Sequence, residues 1–129
     1  MLEIGARAGA TGLVEMTSLY YGFDYYEKIV RLCMGEPVDF TPVLKTPQPN
    51  VTMLFCSDRT GTVKKIDTSA VEPDDRIISL SFDVEPGDQV RKFRKGPDRF
   101  GMIVTVGDTV DEANQVMRRA MEQVKVVLE

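Results

Sequence analysis

DRFGMIVTVGDTVDEANQVMRRAMEQVKVV, residues 98–127, changes its hydrophobic period part-way along. Gly101 to Val106 reads as a strand, Gly107 and Asp108 as a turn, and the residues after it as a helix over about 109–124. Asp108 and Thr109 are the candidate caps, and Thr109 with Glu112 three residues later has capping-box spacing. Val110, Ala113, Val116, Met117, Ala120, Met121 and Val124 recur at steps of three and four. That spacing makes an apolar stripe, and the methionines belong to it as core residues rather than as cofactor ligands. The closing VKVVLE reads as a short strand leaving the helix.

The strand at 101–106 needs a partner. RIISLSFDV (76–84) alternates Ile77, Ser79, Ser81 and Asp83 against Ile78, Leu80, Phe82 and Val84, which predicts a half-buried strand beside it. VTMLFCS (51–57) and GTVKKID (61–67) flank Asp58-Arg59-Thr60-Gly61, and this arrangement predicts a β-hairpin over 51–67. Residues 36–50 hold four prolines, each without a backbone donor, so they read as a connector. Ahead of them, Leu13 to Tyr21 has helical spacing and stops at Gly22. Asp24 with Glu27 opens a second helix at about 25–34, whose face is marked by Tyr26, Ile29, Val30 and Cys33 and whose end is Gly35. The expectation is an α+β domain: one antiparallel sheet, with a hairpin at 51–67 and strands near 76–84 and 101–106, covered by helices near 13–34 and 109–124.

A chain of 129 residues with 43% hydrophobic residues can build one core without metal or disulfide staples. Sixteen basic residues against twenty acidic ones give a net charge of −4, mixed along the chain, which argues against a nucleic-acid partner. PGDQVRKFRKGPDR (86–99) concentrates four cations in positions 91–95, and its plain reading is a solvated turn. No apolar run approaches a membrane span and no signal peptide opens the chain, so a cytoplasmic location is expected. Cys33 and Cys56 are too few and too distant for a disulfide framework and read as reduced, buried thiols. The absence of His excludes Ser-His-Asp and Cys-His catalysis and histidine-ligated zinc within this chain.

LEIGARAGATG (2–12) carries the candidate chemistry. Glu3 and Arg7 stand four residues apart, and an extended backbone would point both to one side. A carboxylate there suits Mg²⁺, which takes oxygen ligands and leaves several positions to substrate phosphates. The Arg7 guanidinium can grip a carboxylate or phosphate with two parallel hydrogen bonds. Gly9 and Gly12 allow backbone amides to approach an anion, and the N-terminus of the following helix points at the same place. An ordinary exposed Glu-Arg pair beside a glycine loop is the competing reading. Neither a Walker-type GxxxxGK[ST] nor a GxGxxG motif occurs, so this chain lacks its own nucleotide loop.

LEIGARAGATG followed by LVEMTSLYYGFDYYEKIVRLCMGEPVDF resembles the end of the catalytic domain of ATP-grasp enzymes, in the branch of carboxylate–amine and L-amino-acid ligases related to biotin carboxylase and carbamoyl-phosphate synthetase. The tail 98–127 is similar to the DR-x-G-x-x-[IV]-x-x-G-x-T-x-[ED]-E-A segment that closes these ligases. The resemblance implies that Glu3 is the metal ligand of an E-x-N-x-R strand and Arg7 its catalytic, anion-holding arginine, with Gly9 and Gly12 lining the same pocket. Gly5 stands in place of the family asparagine, which removes one expected metal ligand. It further implies a domain order: 1–35 ends the ATP-grasp catalytic domain, 36–50 connects, and 51–129 forms a small C-terminal subdomain. ATP and Mg²⁺ are the implied cofactors, a carboxylate and an amine the substrates, and upstream ATP-grasp domains the partners. The chain by itself is then expected to be an inactive C-terminal piece whose exposed Leu13, Leu19 and Tyr20 favour self-association. The rival expectation is a stand-alone interaction or dimerisation module built on 51–129.

Overall fold

A computed structural model of the protein describes residues 8–129. These fall into two compact units that divide between Pro49 and Asn50.

The first unit is helical. Helix α1 (Leu13–Tyr21) ends where Gly22, in the left-handed region at φ 76°, donates its N–H to the Ser18 carbonyl. Helix α2 (Tyr25–Cys33) starts where the Asp24 carboxylate accepts the Glu27 N–H at 3.0 Å, as the spacing of those two residues predicts. The proline-rich segment then folds back on the end of α1: the Val43 and Leu44 N–H groups both donate to the Tyr21 carbonyl, and Gln48 N–H donates to that of Tyr20. Tyr21, Phe23, Tyr25 and Phe40 form a chain of ring contacts, with the Lys28 ammonium 4.8 Å from the centre of the Phe23 ring.

The second unit carries the strands β1 (Asn50–Phe55), β2 (Gly61–Asp67), β3 (Ile77–Phe82), β4 (Gln89–Val90), β5 (Gly101–Val106) and β6 (Lys125–Leu128), with helix α3 (Val110–Gln123) between the last two. One sheet has the order β1-β5-β3 and the other β4-β2-β6, and every strand pair is antiparallel. The α+β class, the β3–β5 pairing and the closing strand β6 follow the sequence reading.

The pairing of β1 with β2 does not. The strands exist at 51–67, but they lie in different sheets, so the hairpin and the single sheet are corrected. The residues between them are held by the 92–100 segment rather than by each other: Phe93 N–H donates to the Ser57 carbonyl at 2.8 Å, and Phe100 N–H donates to that of Phe55 at 3.0 Å. Asp58-Arg59-Thr60-Gly61 is not one of the two-residue turns that bend a chain tightly back on itself. Both strands instead send a large side chain, Phe55 and Val63, into one shared core completed by Val90, Phe100, Ile103, Met117 and Ala120. Helix α3 packs on β5 and β1 and supplies the last two of these.

Four side chains depart from their expected places. Ile78 was assigned to the apolar face of its strand, yet it is 49% exposed, because the register between β3 and β5 shifts between Ile77 and Ser79 and breaks the alternation. Val110 opens the α3 stripe in sequence but lies in the first turn and is 55% exposed. Cys33 and Cys56 are free and exposed rather than buried. Helix α2 buries none of its residues, and Cys56 follows the inward-facing Phe55 by one position.

Candidate functional site

Glu3 and Arg7, with Gly5 between them, lie outside the described residues, whereas Gly9 and Gly12 lie within them. Gly12 is the N-cap of α1, buried and at φ 79°, with Thr11 before it also left-handed at φ 70°. Two successive residues in that region turn the chain sharply into the helix, and no side chain caps the first turn. Gly9 has a packing role: a Cβ there would come within 2.4 Å of Leu13 Cδ1. The close contact of Gly9 is with the helix that follows it.

Glu15, in the first turn of α1, accepts the Tyr26 hydroxyl of α2, and this hydrogen bond, ahead of burial and nearby carboxylate charge, raises the Tyr26 pKa. The bond ties the two helices and places a negative charge where the helix dipole favours one. Among the described residues no three His, Cys, Asp or Glu side chains converge on a possible metal position.

The 98–113 signature is fully described, and most of its residues hold the fold. The Asp98 carboxylate accepts the Arg94 and Lys95 N–H groups, and Arg99 donates to Asp83 at 3.1 Å. The Phe100 ring lies against those of Phe82 and Phe55. A Cβ on Gly101 would meet the Ser81 carbonyl oxygen at 2.5 Å, and one on Gly107 would meet the Ala113 nitrogen at 2.8 Å. Thr109 caps α3 by accepting the Glu112 N–H, and the buried Thr105 hydroxyl donates to the Ala113 carbonyl.

One polar cluster escaped the sequence reading. Arg76 grips both oxygens of Asp74 at 2.9 and 2.8 Å and donates to Glu112 at 2.6 Å, while Arg119 reaches Asp74 at 3.0 Å. Hydrogen bonds from Arg76 chiefly hold the Asp74 carboxyl down at about 2, and those to Asp74 and Glu112 raise the Arg76 pKa. Glu112 is lowered as well, first by the Asp108 N–H and then by Arg76. The cluster fastens the start of β3 to α3. Its two contacts from Arg76 and Asp74 to α3 span 36 and 45 residues, a separation no local motif reveals.

The family model for the L-amino acid ligase C-terminal domain 2 matches residues 53–129. The chain belongs to this family. Its match takes in the second unit from β1 to β6, including the 98–113 signature. The fold is also similar to two solved synthetase structures. Phosphoribosylglycinamide synthetase from Anaerococcus prevotii superposes with a TM-score of 0.82 at 24% identity, over 95% of this chain and 32% of that one. N5-carboxyaminoimidazole ribonucleotide synthetase from Thermotoga maritima gives 0.61 at 21% identity, over 91% and 30%. The chain thus spans about a third of the length of these enzymes. No curated protein sequence matches it. No helix among the described residues is long and apolar enough to cross a membrane.

Proposed function

We propose that this chain is the C-terminal part of an ATP- and Mg²⁺-dependent ligase that activates a carboxylate as an acyl phosphate and joins it to an amine. The match to the L-amino acid ligase C-terminal domain 2 over 53–129 carries the reading. The likeness of fold extends it through the helical unit that follows Glu3 and Arg7. Residues 1–35 close the catalytic domain, 36–50 connect, and 51–129 are the small C-terminal subdomain.

The substrate carboxylate attacks the γ-phosphorus of ATP and ADP leaves; the amine then attacks the acyl carbon, loses a proton, and phosphate leaves. Such a reaction depends on positioning and on neutralising charge. Glu3 would hold Mg²⁺, whose contribution is to offset phosphate charge. Arg7 grips the transferred phosphoryl group or the substrate carboxylate through its planar fork. Gly9 and Gly12 shape the loop beside them, with the N-terminus of α1 turned toward it. The chain alone has no ligase activity.

The test is steady-state turnover of the complete enzyme that carries this chain. Glu3→Gln or Arg7→Ala is expected to lower turnover by at least about tenfold with thermal unfolding unchanged. Turnover near the parent level removes both roles. A second reading, an interaction module, has the self-contained core of residues 50–129 behind it. It requires both variants to retain full function.

A further inference from the structure

We propose that the depression lined by Thr60, Arg91, Lys92, Arg94 and Lys95 is a binding site for a polyphosphate group, free or carried on a nucleotide. The proposal is independent of the ligase reading, and either can fail alone.

Four cations line this depression together with a single carboxylate, Asp98. One oxygen of that carboxylate already accepts the Arg94 and Lys95 N–H groups, each at 3.1 Å. Among the described residues, none of the four cationic side chains has a carboxylate within ion-pair distance. Arg31, Lys64, Lys65, Arg76, Arg99 and Arg119 are all paired. Lys28, Lys45, Arg59, Arg118 and Lys125 likewise stand in no such pair among the described residues, so what sets Arg91, Lys92, Arg94 and Lys95 apart is that all four line one depression.

The backbone beneath them is fixed. Lys92 N–H donates to the Thr60 hydroxyl at 3.1 Å, Ser57 and Lys92 form a parallel bridge, and Phe93 N–H donates to the Ser57 carbonyl. A single 3₁₀ turn, Gly96–Asp98, closes the other side. Like charges held close repel within a Debye length of about 8 Å in physiological salt, and a ligand bearing several charges relieves that repulsion better than a single carboxylate does. Arginine and lysine together suit phosphate: the guanidinium fork binds two oxygens and the ammonium acts as a point charge.

The experiment titrates sodium tripolyphosphate into the isotopically labelled 129-residue chain and follows amide shifts by NMR. Shifts confined to Thr60 and residues 91–98 are expected. Binding should weaken by about tenfold in Arg91→Gln/Arg94→Gln and by less than about twofold in the charge-matched Arg118→Gln/Lys125→Gln. ATP run in parallel separates the sources. Equal affinity assigns the site to the phosphate chain alone, while tighter ATP binding at the same residues assigns it to a nucleotide. Equal weakening in the two double variants overturns the proposal. So does hexaglutamate binding these residues as tightly as tripolyphosphate, which would make the surface a dock for an acidic protein.

Discussion

A methyl group at Gly101 would stand 2.5 Å from the Ser81 carbonyl oxygen and 2.9 Å from the Phe82 ring, on the pairing side of β3. The backbone oxygen cannot move aside without disturbing the register in which Ser81 faces Met102 and Phe82 faces Gly101. Gly101→Ala is therefore expected to destabilise the protein by about 2 kcal/mol, read as a fall in the midpoint of thermal unfolding. An unchanged midpoint would mean that the two strands part more readily than their hydrogen bonding implies. The same reasoning separates the glycines of the family signature from those of the opening loop. Gly101 and Gly107 stand against backbone atoms, whereas Gly9 stands against the flexible end of Leu13. The signature residues were legible as a pattern, but the reason for each, a steric limit or a cap, lies in neighbours that the pattern does not name.

Helix α3 shows which elements a sequence discloses by itself. Its cap, its stripe of Ala113, Val116, Met117 and Ala120, and its end are all local, and all were readable from spacing. Thr109 accepts the Glu112 N–H at 3.1 Å while the Glu112 carboxylate accepts the Asp108 N–H at 2.9 Å, so one first-turn donor and the donor just ahead of the cap are both satisfied. Thr109→Ala is expected to cost about 1 kcal/mol in chemical denaturation, with Thr109→Ser nearly neutral. The strands behave differently. Strand-like runs beside a turn located β1 and β2, and alternation located β3, but the choice of partner rests on contacts across the molecule, and β1 found β5 rather than its neighbour in sequence. A single register shift was enough to turn Ile78 outward. Of the candidate site, the glycine loop and the helix after it were legible in position. The Asp74–Arg76–Glu112–Arg119 cluster was not, because it joins charges far apart along the chain.

For the molecule as a whole, that cluster sets a response to acid. Asp74 has its folded pKa lowered from 3.8 to about 2, so its contribution to stability is fully present above the unfolded value. It is lost as the pH falls through the folded value. The melting temperature of the parent should exceed that of Asp74→Asn at neutral pH, and the gap should close between about pH 4 and pH 2. A gap that persists at pH 2 would assign the effect to packing rather than to charge. Asp67, held well below its ordinary range first by Lys65 and then by Ser69, adds to the same trend. The division of strands has a different consequence, for the order of events during synthesis. The first sheet is complete once Val106 has been made, but β2 waits with only the two residues of β4 beside it until Lys125 to Leu128 have been added. On the ribosome, roughly half of this unit has already emerged while β2 still lacks its main neighbour, and β2 stays open on that side until Lys125 to Leu128 leave the exit tunnel.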